Sequence, residues 1–192
     1  SKDDTAKICD ENHYNIIDLP VNLGLSGAFQ TGIKYAYKMD YDAAVQLDGD
    51  GQHDPKYIDP MIKLLQQDSA DIIIGSRFQT KKKPHALRML GSNIIELAIK
   101  ITTQKRVTDP TSGLRMFNRT VLKEFAKSMN YGPEPDTISY LLRNGAKIGE
   151  VQVEMRERIA GESYLNASKA VQYMVRMCTS IMFIQRFRKR DA

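Results

Sequence analysis

Val45-Gln46-Leu47-Asp48-Gly49-Asp50-Gly51-Gln52-His53-Asp54-Pro55 is the stretch on which the fold turns. The apolar run from Ala43 to Leu47 has the composition of a buried strand, and it stops in two aspartates separated by one glycine. Ligands of α/β sheets lie beyond the carboxyl ends of the strands, so Asp48 and Asp50 are expected to face a substrate crevice. Two carboxylates one residue apart offer hard oxygen ligands to Mg²⁺ or Mn²⁺, ions that keep open positions for substrate phosphates. Gly49 and Gly51 let the backbone turn closely around such an ion. The alternative is an Asp-Gly turn that merely links strand to helix.

Working outward, Pro55 opens a helix to about Gln67, with Tyr57, Ile58, Met61, Ile62, Leu64 and Leu65 as its core face. Asp71 to Ser76 is a second buried strand, and it delivers Arg77 to the same side as Asp50. Upstream, Asn15 to Leu19 is expected as a short strand closed by Pro20. Asn22-Leu23-Gly24-Leu25-Ser26-Gly27-Ala28 then opens a helix to about Met39, whose glycines either admit a phosphate to the exposed amides or allow tight helix packing. Strands alternating with helices at this spacing imply a mainly parallel sheet with helical crossovers.

The basic loop Gln79 to His85 is either a solvated surface or a phosphate-gripping lid. In the helix after Pro84, Arg88 and Ser92 lie four apart on one face; Arg88 is either a solvated charge or, paired with Arg77, half of an anion clamp. Thr120 is expected to cap a helix to about Met129, and Asp136 to cap the helix Thr137 to Asn144 unless it is a site carboxylate. A strand follows from Ile148 to Val153. From Asn166 to Arg188 the pattern is helical, with Ala170, Met174, Met177, Ile181 and Ile184 on one face and a basic end. Such a helix either packs on the domain or lies in a membrane interface.

Composition sets the class. With 192 residues, 42% hydrophobic and 27% charged, the chain fits one domain with a real core and excludes disorder. A net charge of +5, concentrated in Lys81 to Lys83 and Arg186 to Arg190, suits an anionic partner. Cys9 and Cys178 match no metal-site or redox spacing, as expected for a reducing compartment. No apolar run approaches the roughly 18 residues of a spanning helix.

The run Leu47 to Pro55 resembles the metal-binding DXD region of family 2 glycosyltransferases, in the branch of dolichyl-phosphate mannose synthase and bacterial polyprenyl-phosphate sugar transferases. Thr108 to Phe117 is similar to that family's Asp-x-x-Ser-Gly-Phe/Leu-Arg segment, and Asn22 to Ala28 to its Asn-x-Gly-x-x-x-Ala segment beside the donor. Arg158, Gly161 and Ser163 resemble its Arg-x-x-Gly-x-Ser loop, while Arg88 and Ser92 match a pair that contacts acceptor phosphate. Ser1, Asp3 and Thr5 look like the end of its Asp-Gly-Ser-x-Asp-x-Thr motif. That implies a first strand and a nucleotide-binding turn ahead of Ser1, the alternative being a helix cap at Asp3 or Asp4.

The resemblance implies a GT-A fold over residues 1–165, a mainly parallel sheet flanked by helices, and an amphipathic basic helix over 166–192. It implies inverting, metal-dependent transfer from a nucleotide-diphosphate sugar to a polyprenyl phosphate, with a hydroxyl of a cell-surface glycan as the alternative acceptor. Asp48, Asp50 and Gln52 would hold Mg²⁺ or Mn²⁺, and Asp3, Gly24, Asp48 and Asp50 would bind the donor. Arg77, Arg88 and Ser92 would hold the acceptor phosphate. Asp50, Asp109, Arg158 and Asp136 would serve catalysis: Arg158 by stabilising charge, Asp136 as base toward a hydroxyl, and Asp109 either as turn support or facing the acceptor. The implied location is cytoplasmic, peripheral on the inner face of the cell membrane. The rival from another class is a non-catalytic membrane-surface or nucleic-acid-binding domain using the basic patches. The acidic motif opposes nucleic acid, because carboxylates repel phosphate unless a cation lies between.

Overall fold

A computed structural model of the protein describes residues 3–67, 70–84, 87–127, 132–156 and 167–188. Four strands, β1 (Ala43–Gln46), β2 (Ile72–Ser76), β3 (Arg115–Asn118) and β4 (Ile148–Gln152), form one sheet in the order β1-β3-β2-β4. The strand β3 runs antiparallel to both neighbours, Ala44 facing Phe117 and Ile73 facing Met116, whereas β2 and β4 are parallel. Three strands therefore share one direction and β3 opposes them. The cause is where the chain enters: residues 109–114 cross the carboxyl end of β2, Asp109 bonding Arg77 and Ser112 bonding the Gly75 carbonyl. A strand starting from that end must run back against β2. The reversal brings the Asp109 to Gly113 turn to the same edge as Asp48.

Both faces of β2 are covered, which is why Ile72-Ile73-Ile74-Gly75 reads as a run without a polar side chain. Ile72 and Ile74 join Phe117 in the larger core with α2 (Gly24–Lys38), α4 (Leu87–Thr103), α5 (Arg119–Lys127) and α6 (Pro135–Arg143). Ile73 points the other way, to Leu114, Met116 and Val153, where α3 (Ile58–Gln67) seals the sheet with the fully buried Met61. The first helix, α1 (Thr5–Glu11), buries no residue.

Several local expectations are corrected. Asn15 to Leu19 is not a strand, because among the described residues no neighbour completes a ladder with it; Ile16 and Ile17 are exposed. Asn118, not Thr120, caps α5, its side-chain oxygen accepting from the Val121 N–H at 3.0 Å. Glu134 occupies the N-cap position of α6, leaving Asp136 in its first turn.

The last helix, α7 (Ala167–Thr179), runs through a π-turn at Ser180–Ile184 into α8 (Gln185–Phe187). It packs on α4 and α6 through the buried Met177 and Ile181. The wider π-turn rotates the register, so Ile184 leaves the buried stripe and Gln185 takes its place.

Candidate active site

The carboxyl end of β1 carries Asp48, and a turn folds the next five residues back beneath it. The Asp48 N–H donates to His53 Nδ1 at 3.0 Å, so the neutral imidazole carries its proton on Nε2, which is buried without a partner among the described residues. Burial lowers the His53 pKa, against the pull of Asp48 and Asp50, which keeps Nδ1 an acceptor. Nothing in the sequence singles out His53 for this role, because its placement depends on the turn, in which Gly51 adopts φ +77°. Within that turn Asp50 Oδ1 accepts from the Gln52 N–H at 3.1 Å.

Gln52 is tied away from the turn, its amide donating to the Arg156 carbonyl at 3.4 Å while the Arg156 N–H returns a bond to the Gln52 carbonyl. Arg156 also pairs with the buried Asp54, so the chain after β4 clamps the acidic turn.

The Asp48 side chain is 48% exposed and opens on a cleft of about 860 Å³, lined also by Gly24, Gly113, Arg115, Glu134 and Tyr173. Gly113 touches the carboxylate so closely that a Cβ there would stand 2.3 Å from Asp48 Oδ2. Any larger residue here would have to push the Asp48 carboxylate out of this position. Gly24, at φ +68°, is held by Asn22, whose side-chain oxygen accepts its N–H at 2.8 Å. Asp3, by contrast, is exposed at the start of α1 and accepts from the Thr5 hydroxyl and N–H, which together lower its pKa. The structure gives it a local, helix-starting role.

Asp109 is fully buried and holds Arg77 in a fork: Nε at 2.7 Å, Nη2 at 2.8 Å and the backbone N–H at 3.1 Å. Both of its oxygens accept from Arg77, and it is not among the residues lining the cleft beside Asp48. The Arg77 guanidinium also lies over the Phe78 ring, 5.0 Å from its centroid. Arg115 is buried without a carboxylate hydrogen-bond partner among the described residues and donates to the carbonyls of Ser112, Pro110 and Glu134, which ties the 109–114 turn to the start of α6. Burial lowers its pKa.

Asp136 is engaged by the π-turn and α8, accepting from Ser180 Oγ at 2.6 Å and Gln185 Nε2 at 3.3 Å. It lines a second cavity of about 630 Å³, which shares Leu23, Ser26, Glu134 and Arg176 with the cleft. Of the two acidic residues in this turn, Glu134 is the one that shares the cleft with Asp48. Burial raises the Glu134 pKa, Asp136 adds to the rise, and Arg176 opposes it from 3.7 Å. Tyr173 is pushed up to about 12 by burial.

Ser92 is buried on α4 and its hydroxyl accepts from Lys83 Nζ at 3.2 Å. Arg88 belongs to α4, but its side chain lies outside the described residues, as does the whole of Arg158. The structure thus gathers Asp48, Gly24, Gly113 and Glu134 around one cleft, and sets Arg77, Phe78, Lys83 and Ser92 beyond the carboxyl end of β2.

Mg²⁺ and Mn²⁺ are commonly held by one or two carboxylates plus substrate phosphates, not by a closed protein cage. Asp48, exposed, and Asp50, half-buried, both just beyond a strand end, fit that donor set. No cluster of three or more potential ligands from His, Cys, Asp and Glu occurs among the described residues.

The family model for glycosyl transferase family 2 matches residues 1–126. The chain is 32% identical over 139 residues to a UDP-N-acetylglucosamine--dolichyl-phosphate N-acetylglucosaminyltransferase of Methanococcus voltae, covering 69% of this chain and 55% of the relative. It is 30% identical over 151 residues to an undecaprenyl-phosphate mannosyltransferase of Micrococcus luteus, covering 74% and 61%. A polyprenol monophosphomannose synthase of Mycolicibacterium smegmatis is 23% identical over 181 residues, covering 91% and 68%. The chain thus spans little more than half the length of the first of these relatives.

Proposed function

Because the chain belongs to glycosyltransferase family 2, we propose that it transfers a sugar from a nucleotide-diphosphate donor to a polyprenyl phosphate, with inversion at the anomeric carbon. The observation that carries this reading is the division of charge at the strand ends: carboxylates at Asp48 and Asp50, cations at Arg77 and Lys83. The carboxylates suit a divalent ion on the donor diphosphate, and such an ion offsets charge growing on the leaving group. The cations suit an acceptor that is already anionic and needs to be held rather than deprotonated. Gly24 at the start of α2 supports donor binding, since it lines the cleft beside Asp48.

A lipid acceptor requires a membrane surface. Among the described residues no helix is long and apolar enough to cross a membrane. Leu90, Ile94, Leu97 and Ile101 nevertheless form an exposed stripe along α4, and Val171 and Val175 are exposed on α7, which packs beside it. From Ala167 to Phe187 the chain has no acidic residue and carries Lys169, Arg176 and Arg186. This combination suits peripheral seating on an anionic lipid surface.

The second reading is a hydroxyl acceptor, favoured by Glu134: a half-buried carboxylate in the cleft with a raised pKa is a better base than an ordinary glutamate. The deciding experiment is turnover of a nucleotide-sugar panel with polyprenyl phosphate or with glycan acceptors, each with Mg²⁺, Mn²⁺ or chelator. Transfer to the lipid phosphate in the presence of metal is expected. Transfer to glycan alone would select the second reading, and undiminished transfer in chelator would remove the metal from the first.

A further inference from the structure

The sequence left the loop Gln79 to His85 between a solvated surface and a lid. In the structure this loop is fastened at two points. Thr80 donates through its N–H and hydroxyl to Gln152 Oε1 at 2.8 and 3.0 Å, so one end is tied to the carboxyl end of β4. At the other end Lys83, only 12% exposed, reaches α4 and donates to Ser92 Oγ at 3.2 Å and Glu96 Oε2 at 2.7 Å. The second oxygen of Glu96 accepts from Arg106 Nε at 3.0 Å. One carboxylate therefore bridges two cations.

Beneath the loop lies a cavity of about 370 Å³. Among the described residues its charged lining is Lys81, Lys82, Lys83 and Arg106 against one carboxylate, Glu96. Lys81 is neutralised by Glu154 at 2.6 Å, which still leaves two positive charges uncompensated. Phe78 forms one wall, with Arg77 and Lys83 over its ring at 5.0 and 5.5 Å, and Thr108 another. Ser92 Oγ, which accepts from Lys83, keeps its own proton to donate.

A shared carboxylate with two cations and a surplus of charge is the arrangement a phosphate monoester would find if the carboxylate stepped aside. Each Glu96 oxygen occupies a position from which a phosphate oxygen would accept the same charge-assisted hydrogen bond. The carboxylate brings one negative charge where the lining has room for three, so a dianion is the better match. Loop fastening alone would need only the Lys83 contact, yet Arg106, whose side chain stays 70% exposed, also reaches the same group.

We propose that this cavity binds a phosphate group by displacing Glu96, with Lys83 and Arg106 as its principal ligands and Glu96 as an internal counter-ion that sets the affinity. Lys82, exposed and without a partner among the described residues, closes over the bound group. The inference rests on the acceptor reading above only for what carries the phosphate, a polyprenyl chain; the chemistry recognised is the phosphate monoester.

The test is calorimetric titration of inorganic phosphate and, separately, geranyl phosphate, with no nucleotide sugar present. Glu96→Gln is expected to tighten binding of either probe by about tenfold, since it removes the competing charge while keeping the shape. Lys83→Met and Arg106→Ala should each weaken it about tenfold or more, and Lys83→Arg, which keeps the charge, should retain it. A gain in Glu96→Gln confined to geranyl phosphate identifies a lipid phosphate, and an equal gain identifies phosphate in general. If Glu96→Gln binds no tighter than the native protein, or Lys83→Met loses nothing, the cavity is only a salt-bridged seam. Should Glu96→Gln fail to fold, the comparison of Lys83→Met with Lys83→Arg at matched thermal midpoints decides. Transfer to a glycan hydroxyl alongside these binding changes would refute the lipid acceptor and leave the pocket standing. Transfer to lipid phosphate with every variant binding phosphate as the native protein does would refute the pocket alone.

Discussion

Asp109→Asn tests whether the buried aspartate works through Arg77. The substitution preserves volume but puts an N–H₂ group where one carboxylate oxygen stood, so one arm of the fork to Nε and Nη2 becomes donor against donor. Breaking a buried ion pair by removing one partner typically costs about 3–5 kcal/mol. Arg77 is 28% exposed and can recover water on one side, which brings the expectation to roughly 2–3 kcal/mol, or about 4–12 °C in thermal midpoint for a chain of this size. The stability assay is thermal unfolding of Asp109→Asn, Arg77→Met and the double variant; the activity assay is transfer rate on the same three proteins. Because the residues are in contact, the double variant should be little worse than the worse single one, in melting and in rate alike. An Asp109→Asn protein that melts like the native one, or rate losses that multiply in the double variant, would show that Asp109 reaches the substrate directly.

Asp50→Asn should abolish transfer with an unchanged thermal midpoint, since the amide oxygen can still accept the Gln52 N–H while the metal-binding charge is lost; chelator should silence the native enzyme in the same assay. Gly113→Ala should lower activity at least about tenfold yet cost under about 1 kcal/mol, because the new Cβ displaces a half-exposed Asp48 carboxylate that can rotate away; full activity would mean that Asp48 is not needed where the structure places it. Glu134 has a folded-state pKa raised by burial, so the fold binds its proton more tightly than the unfolded chain, and stability must fall as pH rises from the ordinary glutamate value through the raised one. Glu134→Gln should flatten that slope in urea unfolding measured across the window, and an unaltered slope would assign it to another group. Leu97→Glu with Val175→Glu should weaken sedimentation with anionic vesicles without altering the melt; unchanged sedimentation would place the bilayer elsewhere.

How far the sequence could be read depended on the range of the interaction concerned. β1 and β2 were legible as strands because an apolar run bounded by polar turns carries its own signal, although β1, at the sheet edge, is half-buried and leaves Leu47 exposed; the α3 face was legible from its spacing except at Ile62, which is exposed. The reversal of β3 was not legible: its direction follows from the docking of the 109–114 turn on the end of β2, by bonds between residues more than thirty apart in the chain. Asn15 to Leu19 failed for the opposite reason, since it has strand composition but a strand exists only with a neighbour.

The site divides the same way. Asp48 and Asp50 could be picked out because a strand end followed by acid and glycine is a local pattern, whereas the residues that pack around the turn are distant in the chain: Gly113 against Asp48, Arg156 against Gln52. Lys83 shows the limit most sharply. In sequence it is the third lysine of a basic loop and looks like solvated charge, but the structure buries it against Ser92 and Glu96. Charge on a loop therefore says that an anion is welcome somewhere. Which lysine meets it is decided by the helix the loop is folded onto, and α4 supplies both the hydroxyl that Lys83 reaches and the carboxylate that now stands in the anion's place.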